Sequence, residues 1–300
     1  MFEKLPLKLP SPLTQIRDPL LTAAAVELWL KRDDLIHPVV SGNKWRKLKY
    51  LLLDAKQKGQ RHIISMGGPY SNHLHALAYV GNALGLKTTG VVRGIHQQRS
   101  ATLVDMETWG MTLEFVDREA FRRLREYREW NDQPADQYHG YWVPEGGYNP
   151  LALQGVAELV GELDQVWDVI AAPCGTGTTL AGLITAMPEG TRALGFSALK
   201  AKNYLDDEVA QLLRQASLEK GSAASWSINH DYHFGGFAKR KPELDEFMVE
   251  FEQKHQILLD PVYTGKMLYG LWTMIKKGEF PRGSRIVALH TGGLQGRSRA

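Results

Sequence analysis

The sequence of 300 residues contains a single cysteine, Cys174, and no long uninterrupted apolar run. One cysteine excludes an intrachain disulfide and gives no support for a secreted protein. No stretch approaches the roughly 18 apolar residues that a membrane-spanning helix needs. The first residues carry charge and prolines where a signal peptide needs an apolar run. These absences predict a cytoplasmic protein without a membrane span.

An excess of charge of either sign is also missing. The chain has 36 basic and 33 acidic side chains, a net charge of +3, and no low-complexity tract or solenoid repeat. A nearly balanced, spread-out charge does not predict nucleic-acid binding. The densest cluster, residues 117–130, interleaves arginines with acids, which is typical of a salt-bridged and solvent-exposed helix face. The 43% of hydrophobic residues is typical of a globular protein with a sizeable core.

Short β-type runs alternate with helical runs along the chain. The runs that predict strands are residues 26–32, 61–67, 87–92, 111–116, 167–173, 192–199 and 284–290. The runs that predict helices begin near Lys44 and continue at residues 72–84, 101–109, 117–130, 151–163, 178–187, 206–215, 242–255 and 266–276. Strands separated by helices predict right-handed βαβ units and a mainly parallel sheet, which is an α/β fold. The turn-rich segment 138–150 is the expected boundary between two halves, with a ligand cleft beyond the carboxyl ends of the strands.

Lys44 lies at the start of an amphipathic helical pattern. The apolar face recurs at three- and four-residue steps, at Leu48, Leu51, Leu52 and Ala55, and residues 41–43 are the expected cap. The positive end of the helix dipole and the like charges of Arg46, Lys47 and Lys49 favour a neutral amine at Lys44. A neutral lysine amine forms Schiff bases. An isolated lysine of this kind is usually solvated, so its prediction as a cofactor anchor depends on the motifs that follow.

Two loops at strand-to-helix junctions have the composition of anion-binding loops. Ser71 and Asn72 begin a helix whose free N–H groups favour a carboxylate, although helix capping alone would account for either residue. The paired glycines upstream, residues 67–68, indicate close approach of the backbone to another group. In residues 174–183, glycines alternate with threonines after an apolar strand, which predicts a nest of donors suited to a phosphate.

The glycine-threonine loop fits a single phosphate ester better than NAD or ATP. Leu180 stands where a dinucleotide motif has its third glycine, and no Walker lysine follows. Cys174 is predicted to be a small buried hydrophobe, since no basic residue adjoins it. Two further loops, residues 260–270 and 289–296, add Tyr263, Thr264 and a glycine turn. A lysine, a carboxylate loop and a phosphate loop together predict an aldehyde cofactor that carries a phosphate, pyridoxal 5′-phosphate.

These motifs resemble those of a known family when they are taken together. The motifs are KRDDL (31–35), SGNKWRKL (41–48), GG-x-x-SNH (67–73), CGTGTTLAGL (174–183), DPVYTGK (260–266) and HTGG (290–293). In this order they are similar to the 1-aminocyclopropane-1-carboxylate deaminase and D-cysteine desulfhydrase family of fold-type II pyridoxal-phosphate enzymes. The resemblance implies an α/β, tryptophan synthase β-like architecture of two domains with mainly parallel, twisted sheets and flanking helices. Residues 1–44 and 148–300 would form the larger, cofactor-binding domain, and residues 45–147 the smaller inserted one.

The resemblance also implies the residues of the site. Lys44 matches the lysine that holds the cofactor and then moves the proton, and Tyr263 matches the tyrosine beside the ring. Asn72 matches the residue near the ring hydroxyl, and Thr264 matches the partner of the pyridine nitrogen. The phosphate loop corresponds to Cys174, Gly175, Thr176, Gly177, Thr178 and Thr179. Substrate binding is assigned to Tyr70, Ser71, Asn72 and His73, and catalysis to Lys44, Ser71 and Tyr263.

Thr264 distinguishes the branches of the family. The resemblance implies that cyclopropane deaminases carry glutamate at this position and desulfhydrases carry threonine. A carboxylate keeps the ring nitrogen protonated and deepens the electron sink, which a neutral hydroxyl does less well. Because expelling a thiolate needs this sink less than opening a cyclopropane, we predict a D-cysteine desulfhydrase-type α,β-elimination that gives pyruvate, ammonia and sulfide. The expected partners are a small amino-acid substrate and a second copy of the chain in a homodimer, without nucleic acid or membrane.

Two positions beside the carboxylate loop depart from the family pattern. Tyr70 stands where relatives usually have glutamine, and His75 where they usually have arginine. The alternatives are therefore a 1-aminocyclopropane-1-carboxylate deaminase, or a homologue that binds pyridoxal phosphate and acts on another substrate or on none.

A zinc site is the remaining alternative. It would use His230, Asp231 and His233, with help from His73 or His75. Loop histidines of this kind more often face solvent or gate a substrate than bind a metal. No metal is therefore predicted.

Overall fold

The computed structural model describes residues 1–94, 100–201, 203–216 and 225–299. The strands of this part of the chain are β1 Leu13–Ile16, β2 Glu27–Lys31, β3 His62–Gly67, β4 Lys87–Arg93, β5 Thr112–Val116, β6 Tyr141–Val143, β7 Val169–Cys174, β8 Arg192–Ser197, β9 Ser225–Asn229 and β10 Arg285–Leu289. Its α-helices are α1 Pro19–Ala24, α2 Asn43–Gln57, α3 Asn72–Leu84, α4 Ala101–Thr108, α5 Arg118–Leu124, α6 Gln133–Tyr138, α7 Pro150–Gly161, α8 Thr178–Ile184, α9 Tyr204–Gln215, α10 Pro242–His255 and α11 Thr264–Lys276.

The strands form two sheets. The larger sheet has the order β1-β2-β10-β7-β8-β9, and its pairs are parallel except for β1 with β2. The smaller sheet has the order β5-β4-β3-β6, and all of its pairs are parallel. The predicted, mainly parallel α/β fold is therefore confirmed. The four strands of the smaller sheet lie within residues 45–147, while the domain boundaries at residues 44 and 148 stay a prediction.

Helices cover both faces of the larger sheet. Successive residues of a strand point to opposite faces, and along β7 Val169 and Ala171 pack towards α10 and α11, while Ile170 and Ala172 pack towards α7, α8 and α9. Because both faces are buried, β7 has no polar alternation and is apolar at nearly every position. Within the described residues, no helix is long and apolar enough to span a membrane.

The segment 138–150 contains a strand that the sequence did not predict. Its glycines and prolines indicate turns, yet β6 pairs in parallel with β3 and all three of its residues are buried. A strand of three residues is too short to show a period of two. The helix expected over residues 117–130 ends at Leu124, and α6 begins at Gln133. The strands β1 and β9 and the short helix α1 were also not predicted.

A buried cluster of charges fixes α2 to its neighbours. The Arg46 side chain, 1% exposed, donates from Nε and Nη2 to the two carboxylate oxygens of Asp33 at 2.7 and 2.8 Å. It also donates from Nη1 to Glu162 at 2.9 Å, and Lys31 pairs with Glu162 at 2.7 Å. Burial alone would raise the pKa of Glu162, but Arg46 and Lys31 lower it. The cluster joins β2, α2 and the end of α7, so it sets the position of the first turn of α2.

We expect Arg46→Met to destabilise the fold strongly, because it leaves Asp33 buried without its partner. Breaking a buried ion pair from one side costs about 3–5 kcal/mol. Lys49→Met is the matched control on the same helix, because Lys49 and Glu158 form a partly exposed pair that should contribute about 1 kcal/mol or less. Urea unfolding followed by circular dichroism measures both losses. Equal losses in the two variants would contradict this account.

Candidate active site

Loops from the carboxyl ends of both sheets contact one another. The loop after β10 reaches α3, because a Cβ at Gly293 would lie 2.7 Å from the side-chain nitrogen of Asn72. The turn after β6 reaches the loop after β7, because a Cβ at Gly146 would lie 2.9 Å from the Thr176 methyl group. Carboxyl ends of parallel strands are where α/β proteins bind ligands. The candidate site is therefore built from both sheets.

Lys44 is in the first turn of α2, beside these loops. The helix begins at Asn43, and its N-cap residue Gly42 has φ +74° and makes no side-chain cap, so the expected cap at residues 41–43 has no side-chain hydrogen bond. Gly42 is required here because a Cβ would lie 1.8 Å from the Thr291 carbonyl oxygen. Lys44 Nζ donates to Asn43 Oδ1 at 2.5 Å, and Asn43 Nδ2 donates to Thr179 Oγ1 at 2.7 Å. Asn43 thus connects the lysine to the glycine-threonine loop.

Burial lowers the pKa of Lys44 to about 8, against the opposing influence of the Asp260 carboxylate. The sequence predicted the lowered pKa, but much of its predicted cause is wrong. Arg46 is neutralised by Asp33 and Glu162, and Lys49 Nζ pairs with Glu158 at 2.5 Å. Desolvation in the folded structure has the larger effect, and it depends on contacts that the helix pattern does not contain.

Lys47, one turn further along α2, is buried. The sequence analysis considered it only as a positive charge that lowers the pKa of Lys44. Its Nζ donates to the Gly146 carbonyl at 3.2 Å, next to Thr176. Burial and then the charge of Lys44 lower the pKa of Lys47 well below its usual value. In the part of the chain that the structure describes, Lys47 pairs with no carboxylate. A phosphate group beside this amine would favour its charged form, so Lys47 and the glycine-threonine loop together fit a phosphate. The sequence could have indicated this position, because Lys47 lies three residues after Lys44 and therefore on the same face of the helix.

The predicted carboxylate loop surrounds the start of α3. Ser71 is the N-cap of this helix, and its Oγ accepts from Leu74 N at 3.2 Å. Ser71 is therefore a helix cap, and its proposed contact to the substrate carboxylate stays a prediction. Asn72 accepts a hydrogen bond from Gln295 on the loop after β10. Tyr70 is 59% exposed.

His73 and His75 point away from solvent in different directions. His73 Nε2 lies 3.0 Å from Ser65 Oγ. His73 Nδ1 has no hydrogen-bond partner among the described residues. Burial, followed by the charges of Lys44 and Lys47, lowers the pKa of His73 to about 3, so the ring is neutral. His75 Nε2 lies 3.1 Å from Asp105 on α4. His75 is therefore directed towards α4, away from Lys44.

The glycine-threonine loop follows β7 directly. Cys174 is buried, its Sγ lies 3.7 Å from the Ala172 carbonyl, and burial raises the pKa of its thiol to about 12. This agrees with its interpretation as a small hydrophobe. A Cβ at Gly175 would lie 3.0 Å from the ring of Tyr263, so this glycine lets the tyrosine pack on the backbone. The hydroxyl groups of Thr176 and Thr178 are 2.9 Å apart.

Thr264 begins α11 and carries a buried hydroxyl group. It is 0% exposed, and its Oγ1 has no hydrogen-bond partner within the described part of the chain. Asp260 caps this helix, because its carboxylate accepts from Tyr263 N at 2.7 Å and from Thr264 N at 2.8 Å. Sequence reasoning missed Asp260, although an aspartate a few residues before a helix is a usual cap signal.

These residues fit pyridoxal phosphate. Lys44 supplies an amine of lowered pKa for the aldehyde, and Lys47 lies with residues 174–179 for the phosphate. The unpaired Thr264 hydroxyl is a partner for a ring nitrogen, since buried polar groups are as a rule hydrogen-bonded. The roles of the individual residues stay predictions.

The zinc alternative finds no support in the arrangement of the histidines. His230 pairs with Asp206 at 2.7 Å, and His233 Nδ1 accepts from Gly235 N at 2.9 Å. Among the residues described here, no group of three or more histidine, cysteine, aspartate or glutamate side chains is placed to hold a metal ion.

Comparisons with known proteins agree with this geometry. The sequence matches the family "Pyridoxal-phosphate dependent enzyme" over residues 6–292. A putative 1-aminocyclopropane-1-carboxylate deaminase of Pyrococcus horikoshii is 31% identical over 280 residues, which cover 90% of this chain and 85% of that relative. The mitochondrial bifunctional D-cysteine desulfhydrase/1-aminocyclopropane-1-carboxylate deaminase of Arabidopsis thaliana is 29% identical over 299 residues, covering 90% of this chain and 73% of that protein. A solved structure of an ACC deaminase homologue aligns with a TM-score of 0.82 at 27% identity, covering 97% of this chain and 91% of its own.

We expect aldehyde labelling of Lys44 to rise with pH around a midpoint near 8, because only the neutral amine condenses and burial lowers the pKa of Lys44 to about 8. Cofactor-stripped protein would be treated with pyridoxal phosphate at each pH, reduced with borohydride and digested for peptide mass spectrometry. Lys266 is the internal control, because burial also lowers its pKa to about 8 while its Nζ is held by the His233 and Gly236 carbonyls. Faster labelling of Lys266 or Lys47 than of Lys44 would refute the assignment.

Proposed function

The chain belongs to the pyridoxal-phosphate-dependent enzymes, and on this premise we propose that it eliminates the β-substituent of a small D-amino acid, as a D-cysteine desulfhydrase does. The similarities show the fold-type II architecture, pyridoxal phosphate as the cofactor, and a lyase of the 1-aminocyclopropane-1-carboxylate deaminase and D-cysteine desulfhydrase family. The finer proposal is release of pyruvate, ammonia and sulfide from D-cysteine.

The observation that carries the finer proposal is the buried hydroxyl of Thr264. It has no hydrogen-bond partner in the described residues. In this proposal it faces the ring nitrogen of the cofactor, where a carboxylate would instead be the counter-ion of a protonated nitrogen. The nearby carboxylate of Asp260 is occupied by backbone N–H groups of residues 262–264. A neutral hydroxyl group at the ring nitrogen favours elimination of a good leaving group such as a thiolate, because this reaction places less negative charge on the cofactor ring.

Several residues would hold the cofactor in this proposal. Lys44 would bind at the aldehyde, Asn72 beside the ring hydroxyl and Thr264 at the ring nitrogen. Lys47 and the loop 174–179 would bind the phosphate. Once bound, pyridoxal phosphate supplies an electron sink for the carbon atom next to the substrate amine.

Lys44 is the proposed general base. With its pKa lowered to about 8 by burial, about a tenth of its amine is neutral at pH 7, whereas a lysine with the usual pKa of about 10.4 holds its proton. The α-proton of the bound amino acid is transferred to Lys44 Nζ. The Asp260 carboxylate favours the resulting ammonium, because its charge raises the pKa of Lys44. The electron pair of the broken C–H bond forms a double bond between the α- and β-carbons as the Cβ–S bond breaks and the thiolate leaves. Water then hydrolyses the resulting unsaturated amine to pyruvate and ammonia.

Ser71 and Tyr263 are proposed to orient the substrate. The Ser71 hydroxyl at the start of α3 can donate to the substrate carboxylate while its oxygen accepts from Leu74 N. Burial raises the pKa of Tyr263, so its hydroxyl group stays protonated and can donate a hydrogen bond. His73 is neutral because burial lowers its pKa to about 3, so it contributes no positive charge to the binding of the substrate carboxylate.

A 1-aminocyclopropane-1-carboxylate deaminase is the second candidate. It is favoured by the similarity of the chain to a putative 1-aminocyclopropane-1-carboxylate deaminase of Pyrococcus horikoshii and to the 1-aminocyclopropane-1-carboxylate deaminase of Rhizobium leguminosarum. The name of the Arabidopsis protein combines both activities. A homologue that acts on another substrate or on none is the remaining alternative. Assembly as a homodimer also stays a prediction. Release of keto acid from D-cysteine, β-chloro-D-alanine, L-cysteine and the cyclopropane amino acid compares the candidates directly.

Ser71→Ala is expected to raise KM about 10- to 100-fold, because a hydrogen bond to a charged group contributes about 1.5–3 kcal/mol. It should also cost about 1 kcal/mol of stability through the lost helix cap. Asp117→Ala is the matched control, since Asp117 caps α5 by accepting from Ala120 N at 2.8 Å and should lose stability alone. Steady-state kinetics and thermal unfolding separate the effects. If both variants lose only stability, Ser71 is a cap and nothing more.

Thr264→Glu is expected to slow release of sulfide from D-cysteine about tenfold, about 1.4 kcal/mol of barrier, and to increase opening of the cyclopropane substrate. The introduced carboxylate raises the pKa of the ring nitrogen and retains electrons that would otherwise expel the thiolate. Thr264→Ser keeps a hydroxyl group and should retain the native preference. Absorbance of bound cofactor verifies that each variant is loaded. A native enzyme that prefers the cyclopropane amino acid to D-cysteine would overturn the proposal.

A further inference from the structure

Four arginines surround one surface pocket on the smaller sheet, apart from the cofactor residues. The pocket has a volume of about 340 Å³ and is lined by Arg93, Arg118, Glu119, Phe121, Arg122 and Arg125. We refer to it as the arginine pocket. It contains none of the residues assigned above to cofactor, substrate or catalysis.

Two of the arginines are held in place by a buried ring. The guanidinium carbon of Arg93 lies 5.7 Å from the centre of the Phe121 ring, and that of Arg125 lies 5.3 Å from it. Phe121 is 2% exposed, so its ring is a fixed platform. Stacking of this kind orients the planar guanidinium and reduces the freedom that a ligand would otherwise have to remove.

The arginine pocket has more positive charge than its carboxylates neutralise. Glu119 pairs with Arg123, which lies outside the pocket lining, at 2.9 Å, and Arg125 pairs with Glu145 at 2.6 Å. Within residues 1–94, 100–201, 203–216 and 225–299, no carboxylate forms an ion pair with Arg93, Arg118 or Arg122. The salt-bridged face expected for residues 117–130 is therefore only partly formed. Converging like charges repel each other unless an anion lies between them.

The arginine pocket lies at the edge of the sheet where ligands usually bind. Arg93 is the last residue of β4 and stands opposite Val116, the last residue of β5. Arg118 is the first residue of α5 and is separated from the end of β5 by Asp117 alone. Both strands are parallel, so the pocket is beyond their carboxyl ends. The loop that leads to Ser71 leaves the neighbouring strand β3 on the same edge.

We propose that the arginine pocket binds a small polyanion of the phosphate class, with pyrophosphate as its simplest member. The fork of each guanidinium donates two parallel hydrogen bonds to phosphate oxygens. In the described residues no carboxylate pairs with Arg93, Arg118 or Arg122, so their donors are available to the anion, while Arg125 is paired with Glu145 and lies over Phe121 beside them. A pocket of this volume accommodates two linked phosphate groups.

Calorimetric titration of the holoenzyme with pyrophosphate tests the proposal. In the proposed holoenzyme the cofactor phosphate occupies the loop of residues 174–179, so that added pyrophosphate reports on a second site. We expect one bound pyrophosphate per chain, with an affinity that falls as salt is added. Arg93→Gln and Arg122→Gln should each weaken binding about tenfold or more, since each removes a charge-assisted hydrogen bond. Both side chains are exposed, and unchanged thermal midpoints verify that the variants fold.

Arg61→Gln is the matched control. Arg61 is exposed and precedes β3 at the amino-terminal edge of the same sheet, so the substitution removes the same charge from the opposite side. Its pyrophosphate affinity should stay within about twofold of the native value, because surface charges beyond about 10 Å are screened. Equal weakening in Arg61→Gln and Arg122→Gln, absence of binding at millimolar pyrophosphate, or tighter binding of citrate than of pyrophosphate would each overturn the proposal.

Discussion

The desolvation of Lys44 is the constraint on which the site depends. The Lys44 side chain is half-buried, and the partial loss of hydration of its ammonium group favours the neutral amine and lowers its pKa to about 8. The amine is kept there by Asn43, which also binds Thr179, and by the Arg46 cluster two residues further along α2. The desolvation of the Lys44 ammonium group is unfavourable. Its position is stabilised in part by an ion-pair cluster that takes no part in the proposed chemistry.

Close contacts between loops are the second feature on which the site depends. A Cβ at Gly42 or at Gly293 would overlap with the opposing loop or side chain. These glycines let the loop after β10 pass directly beside the starts of α2 and α3. The two sheets thereby contribute to one site, with the carboxylate loop and Lys47 on one side and the glycine-threonine loop with Thr264 on the other.

The sequence predicted the α/β fold, the position of Lys44 at a helix start and the four loops, because strand-to-helix junctions are local patterns. It did not predict β6, whose three buried residues are too few for a periodic signal. It also misjudged the cause of the lowered pKa of Lys44. Arg46 is neutralised by Asp33 and by Glu162, which is 116 positions away in the chain, and no local pattern contains that contact. The importance of Asp260 and Lys47 likewise follows from burial, which only the folded chain defines.

Ser71 has a structural role that constrains substitution at the proposed substrate loop. Its hydroxyl oxygen caps α3, so a change there alters the scaffold together with the proposed contact to the substrate. Tyr70, the preceding residue, is 59% exposed and takes no part in the cap. Substitutions at Tyr70 leave the helix intact, as surface positions are in general nearly neutral for stability. In a directed-evolution library, Tyr70 is thus the position that tolerates substitution and Ser71 the one that does not, so two adjacent residues of the proposed substrate loop differ in how freely they can change.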